Sequence, residues 1–377
     1  MQNRNPLITV ITPSFNQGQF IERTIKSVLS QEGDFYLEYI VLDAGSTDGS
    51  VEIIRKYDRL LKEGGLPVKC LGIEYKWFSG PDKGQADAVN KGLKMASGEI
   101  IGWLNSDDTY CEGAIERIAK EFSKNPGVDI IYGKCNLIDR DDLPMGTFRV
   151  LPFNLNILSE QNVFMQPEGF FRKRLLEKIG SLNTDFYFCM DYEFWVRAAK
   201  YNAKVKHLPH FLADFRVHPD SKTSAKSLIG QIEALKISRR YFGQKRFAKK
   251  YLECCFGYAQ KERCKIQEAN AILKNELLKR NRNYLTHFPV IPSSSCLNAY
   301  FNLTKGLDET FTDKKQALKR ILLAFKCYPP SLFNKWSVII FLRVFMGKKL
   351  YFRFTKAWPI SINRWIKNSG GINADIG

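Results

Sequence analysis

Histidine is scarce in this chain, four in 377 residues. The nine cysteines contain no C-x-x-C pair, which argues against a zinc ribbon. Their odd number and scatter argue against a disulfide framework and favour a reducing compartment. No G-x-G-x-x-G follows the first apolar run and no G-x-x-x-x-G-K-[ST] occurs, so the dinucleotide fingerprint and the P-loop are absent. Long hydrophobic runs are missing too. The longest late one, Trp336 to Met346, is about half a membrane span and carries Arg343. Met1 to Pro6 is polar and leads into Leu7–Ile11, too short for the apolar core of a secretory signal. The expectation is therefore no leader and no transmembrane helix.

Acidic residues are lacking in the last third. Residues 1–239 hold 31 basic and 31 acidic side chains, whereas residues 240–377 hold 26 and 8, so the whole +18 excess lies at the back. A neutral front and a cationic back read as two units with different partners, the second meeting something anionic. Apolar residues are 44% and charged residues 25%, which allows a real core and excludes a disordered or collagen-like chain. The length suits one domain of about 200–250 residues plus a further unit.

The front alternates strand and helix. Leu7–Thr12 is a short β-branched run of the kind found in buried parallel strands, followed by the loop Pro13 to Gly18. Ile21, Ile25, Val28 and Leu29 then share one helical face. Tyr39–Leu42 is a strand ending at Asp43. The turn Ala44 to Gly49 follows, then a helix carrying Val51, Ile54 and Tyr57. The loop Ser79–Gly84, a helix over 85–96, the strand Ile100–Leu104, a helix over 113–123 and the strand Asp129–Tyr132 complete the pattern. This alternation predicts an α/β fold with a mostly parallel sheet and right-handed crossovers. Ligands of such sheets bind beyond the carboxyl ends of the strands, where Asp43, Asp107 and Asp108 fall. Three carboxylates on one side repel unless a cation or donor groups offset them, which points to a divalent metal and a polyphosphate ligand. Gly45 and Gly49 are read either as turn chemistry or as phosphate contacts.

Four stretches, taken in order, resemble the family 2 glycosyltransferases of GT-A fold: Val10 to Asn16, Ile40 to Gly49, Gly98 to Asp108 and Met190 to Arg197. The resemblance covers roughly residues 6–225 and implies an inverting enzyme with Mn²⁺ or Mg²⁺ as cofactor. It implies a nucleotide-sugar site drawn from Thr12, Pro13, Ser14, Asn16, Asp43, Gly45, Ser46, Lys83, Asp87, Asn105 and Ser106. Asp107 occupies the metal-ligand place, Asp108 follows it, and His218 is a further ligand. Asp191 is the implied general base, a carboxylate able to take the proton of an attacking hydroxyl. Glu193, two residues on, points about 200° away on a helix, so only one of the two can serve. Gln166, in Gln166 to Arg172, resembles the wall between donor and acceptor. Asn105 stands where the family motif has an aspartate, and Val89 where many relatives carry an arginine.

From about Ser227 helical periodicity takes over, with basic residues dense over 245–283 and a linker at His287–Ser295. Lys314–Tyr328 and Trp336–Phe345 read as basic or apolar helices with aromatic margins, the pattern of an interfacial membrane helix. The division expected is a GT-A domain over 1–226 and a basic helical region over 227–377. The composite expectation is transfer from a UDP-sugar to a glycan or lipid-linked glycan in bacterial surface polysaccharide assembly. It places the protein in the cytoplasm, peripheral on the inner face of an anionic membrane, with no specific nucleic acid. Two readings compete: a sugar-nucleotide pyrophosphorylase, and an inactive membrane- or polyanion-binding protein on the same fold.

Overall fold

The computed structural model describes residues 5–222, 227–261 and 266–279. The chain begins with β1 (Leu7–Ser14), α1 (Ile21–Leu29), β2 (Gly33–Asp43), α2 (Ser50–Lys62), β3 (Cys70–Ser79), α3 (Gln85–Met95) and β4 (Ile100–Trp103). β1 reads as an unbroken apolar run because both of its faces are covered. Ile8 and Val10 pack with Ile25, Ile54 and Ile118 on one side, and Ile11 packs with Val89, Leu93 and Trp103 on the other. Ile21, Ile25, Val28 and Leu29 are buried, as their spacing requires.

β5 (Thr109–Tyr110), α4 (Ala114–Lys124), β6 (Ile130–Ile138), β7 (Pro144–Thr147) and α5 (Leu155–Leu158) follow. A 3-10 turn (Gln166–Glu168) then leads into β8 (Gly169–Arg172), α6 (Leu175–Ile179), α7 (Met190–Lys200) and β9 (Val205–Arg216). Among the described residues these strands form one nine-stranded sheet, in the order β3-β2-β1-β4-β8-β6-β9-β5, with β7 on β6. The block β3-β2-β1-β4 is parallel, and β6 pairs parallel with β9. β8 enters between β4 and β6 antiparallel to both, so the sheet is parallel in its first half and mixed beyond. β3 has no counterpart in the sequence reading. It lies at the sheet edge, half-exposed, with Glu74 and Lys76 interrupting its apolar residues.

The register aligns what comes next. Ser14 pairs with Asp43, Asp43 pairs with Ser79, and Ile11 pairs with Trp103, just ahead of Asn105. The carboxyl ends of four parallel strands therefore open onto one edge.

Two compact units divide the chain at Gly243, so the first domain runs on past the expected boundary at residue 226. The switch to helical periodicity at Ser227 is a change of secondary structure and not of domain. In α8 (Ser227–Lys261), which is interrupted at Gly243, Ile232, Glu233, Leu235 and Ile237 are buried. The Glu233 carboxylate accepts hydrogen bonds from the N–H groups of Tyr187, Phe188 and Cys189, each 2.8 Å long. In the second unit, α9 (Ile266–Lys279) buries Ala269, Leu273 and Leu277. Among the described residues no helix is long and apolar enough to cross a membrane. The expected linker and both C-terminal basic helices lie outside the described residues.

Glu233 is the one side chain shared by three N–H groups at the entry to α7. Glu233→Ala removes this acceptor, leaving the buried Cys189 N–H and the half-buried Tyr187 and Phe188 N–H groups without it, and is expected to cost about 3 kcal/mol. Urea unfolding should show a lower midpoint at an unchanged slope.

Candidate active site

The loops after β1 and β2 are laced to each other. Asp43 Oδ2 accepts from the N–H groups of Gly45 and Ser46, both at 3.0 Å, and from Ser79 Oγ at 2.6 Å, while Oδ1 accepts from Ser46 Oγ. Asn16, with φ of 50°, donates its N–H to Ser46 Oγ at 2.8 Å and accepts from Thr47 N–H at 3.0 Å. Gly45, at φ of +82°, makes the turn that lets the Asp43 carboxylate reach back into its own loop. The Thr12 hydroxyl lies in the core, accepting from Tyr39 at 3.2 Å, so this residue brings no side chain to the site. Pro13 is likewise buried at the end of β1. Ser14 Oγ is buried at the same edge with no protein partner. Beside these residues stand two exposed rings, Phe15 and Phe78, which the sequence reading did not single out.

The acidic loop after β4 is held from three sides. Thr24 Oγ1 donates to the carbonyls of Ser106 and Asp108, at 2.9 and 2.8 Å. Arg216, its side chain fully buried, donates from Nε to the Asp107 carbonyl at 2.8 Å and from its backbone N–H to Asp108 Oδ1 at 2.9 Å. Its Nη1 donates to the carbonyls of Asp139 and Arg140, and Nη2 pairs with Asp142. Asp108 is 1% exposed. Burial first, then the neighbouring charge of Asp107, pushes its carboxyl well above the usual range, opposed by Arg216 and Asn105. Asp108 is thus engaged within the loop by Arg216 and Asn105. Asn105 Nδ2 faces Asp108 Oδ2 at 3.4 Å. An aspartate at 105 would set a further carboxylate oxygen there, and the asparagine turns a repulsion into a hydrogen bond.

Asp107 is the partly open carboxylate of the pair, and His218 comes to it from 111 residues away, with Nε2 at 3.3 Å from Oδ2. The imidazole is buried against the Phe20 ring, and its Nδ1 has no protein partner. Neighbouring ligands on an octahedral ion with bonds of about 2.1 Å sit about 3.0 Å apart. An imidazole nitrogen and a hard carboxylate oxygen at this spacing, with a ring nitrogen left unpaired, fit a divalent cation such as Mn²⁺. No group of three or more His, Cys, Asp or Glu that could hold a metal occurs among the described residues.

Asp87 sits in the first turn of α3, where the Lys83 N–H and then the Lys91 ammonium at 3.1 Å hold its carboxyl below the usual range. The Lys83 side chain is exposed. Val89 is 1% exposed in the core, so nothing at that place can meet a phosphate. Gln166 is 7% exposed; its Nε2 donates to the Trp103 carbonyl at the end of β4, and its Oε1 is buried with no protein partner.

A chain of side-chain hydrogen bonds runs from the loop after β4 through the start of α3 to Lys222. Trp103 Nε1 and Gln85 Nε2 both donate to Asn105 Oδ1, at 3.0 and 2.6 Å, and Lys222 Nζ donates to Gln85 Oε1 at 2.8 Å. Lys222 also acts electrostatically on Asp191, which accepts from Asn162 Nδ2 at 3.2 Å. Burial raises the Asp191 carboxyl to about 6; the N–H groups of Tyr192 and Asp191, then Lys222 and Asn162, act against that rise. A carboxyl so placed changes charge near neutral pH, as a general base must. Glu193 is eliminated. It is fully buried on the opposite side, bonded by Arg197 at 2.9 and 3.0 Å and by the Tyr241 hydroxyl. Asn162, Lys222 and Arg216 carry no mark in the sequence, because a single polar residue in a loop or strand has no spacing.

Glu168 is fully buried, accepting from the Met165 N–H at 2.9 Å with Oε2 unpaired. Burial lifts its carboxyl from 4.5 to about 8. A folded value above the unfolded one means stability is lost as pH rises through that window and is level above it. Glu168→Gln is expected to remove the slope, gaining on the parent protein between about pH 4.5 and 8 in urea unfolding followed against pH.

Residues 9–184 match the glycosyl transferase family 2 pattern. An uncharacterized glycosyltransferase of Mycobacterium tuberculosis is 35% identical over 199 residues, 52% of this chain and 69% of that protein. TuaG of Bacillus subtilis, a glycosyltransferase named for teichuronic acid biosynthesis, is 31% identical over 155 residues, 41% of this chain and 57% of TuaG. The crystal structure of TarS from S. aureus aligns over 86% of this chain and 53% of TarS, about half its length, at 17% identity and a TM-score of 0.45. With the acidic loop, the Asp107–His218 pair and the α7 carboxylate in place and more than two thirds of the mycobacterial relative matched, the chain belongs to glycosyl transferase family 2.

Proposed function

We propose that this glycosyltransferase moves a sugar, with inversion, from a UDP-sugar to a hydroxyl of a glycan or lipid-linked glycan in surface polysaccharide assembly. The observation that carries the reading is the Asp107–His218 pair, whose Oδ2 and Nε2 lie 3.3 Å apart although the residues are 111 apart in the chain.

A divalent cation held by Asp107 and His218 would offset the charge that gathers on the diphosphate leaving group. The residues of the chain do the rest. Ser14, Asn16, Asp43 and the Gly45–Ser46 turn that Asp43 holds in shape line the edge where the base and ribose bind. Phe15 and Phe78 offer exposed ring faces there for stacking. Asn105 and Ser106 carry the site from the nucleoside toward the sugar, and the start of α3 with Lys83 faces the phosphates. Asp191 takes the proton of the acceptor hydroxyl as its oxygen bonds to the anomeric carbon. On the opposite face the bond to the phosphate oxygen breaks and the nucleoside diphosphate leaves. Attack from the face opposite the leaving group inverts the anomeric centre.

The basic excess of residues 240–377 supports docking of this unit on an anionic membrane from the cytoplasmic side, where each basic residue near the surface contributes roughly 1 kcal/mol. Full-length protein should sediment with phosphatidylglycerol vesicles and not with phosphatidylcholine ones, and should be released by about 0.5 M salt. Binding to both vesicle types alike would dismiss the charge argument.

Asp191→Asn keeps the shape of the side chain and removes the base, and is expected to lower turnover by about 10²–10⁴-fold. Asp107→Ala and His218→Ala are each expected to weaken Mn²⁺-dependent binding of UDP while urea unfolding shows the fold intact. Normal turnover in Asp191→Asn together with normal UDP binding in Asp107→Ala would remove the mechanism.

A further inference from the structure

We propose that Asp142 is a positioning residue for the Asp107–His218 pair: from the turn between β6 and β7 it neutralises Arg216, which holds the acidic loop, and through Arg23 it fastens that turn to α1. The proposal rests on the reading of Asp107 and His218 as the cation site.

The contacts form an unbroken series. Arg216 Nε donates to the Asp107 carbonyl at 2.8 Å, and the Arg216 backbone N–H donates to Asp108 Oδ1 at 2.9 Å. Nη1 donates to the carbonyls of Asp139 and Arg140, at 2.8 and 3.2 Å. Nη2 stands 2.5 Å from Asp142 Oδ1, and Asp142 Oδ2 stands 2.9 Å from Arg23 Nη1. The same Arg23 nitrogen donates to the Arg140 carbonyl at 3.1 Å, and Arg140 Nη2 donates to Gln19 Oε1 at 2.5 Å. The turn thereby grips the chain on both sides of Phe20. The Phe20 ring lies between the two partners, its centre 5.0 Å from the Arg216 guanidinium carbon and 4.7 Å from the His218 ring centre. Both members of the pair are therefore backed by groups that Asp142 holds in place.

The charges leave this task to Asp142. A buried guanidinium is costly unless a countercharge accompanies its hydrogen bonds. The three carbonyls that Arg216 reaches bring dipoles and no charge. Asp139, in the same turn, spends Oδ1 on the N–H groups of Asp141 and Leu143, at 2.8 and 2.9 Å. Among the described residues the ion pair of Arg216 is with Asp142. Asp142 has a φ of 68°, in the left-handed region where aspartate and asparagine are the side chains best tolerated after glycine. That backbone sets its carboxylate between two arginines. Without the carboxylate, the unneutralised charge of Arg216 would oppose a cation at Asp107, whose own carbonyl it contacts.

The test compares full-length Asp142→Asn, which suits the same φ and removes only the charge, with the parent protein. Asp142→Gly, which also suits that φ, serves as the second variant. In metal-free protein followed by amide hydrogen exchange, both variants should speed exchange at residues 105–108 and 216–218 by about tenfold. Calorimetry then measures binding of UDP, or of GDP where the parent protein prefers it, with and without Mn²⁺. Both variants should weaken the Mn²⁺-dependent binding by about tenfold and leave the Mn²⁺-free binding within about twofold. Arg23→Gln leaves Arg216 its countercharge and should lose less. A loss as large as that of Asp142→Asn would overturn the charge argument. Faster exchange confined to residues 139–143, or unchanged Mn²⁺-dependent binding, would mean that Asp142 only shapes its own turn, and would overturn its role while leaving the cation site standing. Normal Mn²⁺-dependent binding in Asp107→Ala overturns the cation site and this proposal with it.

Discussion

The site depends on a buried arginine. Arg216 ends β9, and its guanidinium reaches the Asp107 carbonyl, the hairpin carbonyls of Asp139 and Arg140, and the Asp142 carboxylate. Its own N–H holds Asp108. Removing a charge from water is costly unless hydrogen bonds and a countercharge replace the lost hydration, and Arg216 has both. Because the strand is anchored there, His218, two residues further on, arrives beside Asp107. The short contact Val217 N–H to the Ile138 carbonyl, 2.8 Å, keeps that approach in register.

This arrangement sorts three carboxylates that look alike in the sequence. Asp43 is saturated by the donors of its own turn and by Ser79. Asp108 is closed in and driven toward its neutral form. Asp107 alone keeps an oxygen directed at the His218 imidazole, partly open to solvent. Three carboxylates on one edge suggested a metal as their common countercharge. Protein donors and Arg216 satisfy two of them, which confines the case for a cation to Asp107 and His218. The acidic pair therefore does not require an ion in order to fold.

The surroundings of Asp191 rest on a different principle. Asp191 is raised by burial and restrained by dipoles and a cation, so its charge reflects a balance set by neighbours from separate loops. Asn162 precedes the 3-10 turn, Lys222 follows β9, and Glu233 on α8 secures the backbone that leads into α7. None of these lies near Asp191 in the sequence. The conservative-looking neighbour Glu193 is instead part of the packing between α7 and α8, through Arg197 and Tyr241.

What the sequence by itself determined is the periodic part. Buried parallel strands such as β1 and β4 write continuous apolar runs, amphipathic helices such as α1 write a 3.6-residue stripe, and turns that need φ above zero write glycine. The strand that ends at Asp43, the strand ahead of Asn105 and the edge onto which their carboxyl ends open were legible from that pattern. Only the tertiary structure decided which carboxylate is open and which is closed in. It also decided that Gln166 donates to the Trp103 carbonyl, that Thr12 faces the core, that an edge strand runs from Cys70 to Ser79, and that the first domain extends to Gly243. The physical reason is that burial, charge and hydrogen bonding are sums over neighbours from distant segments, and such sums leave no periodic trace in the chain that is to be folded.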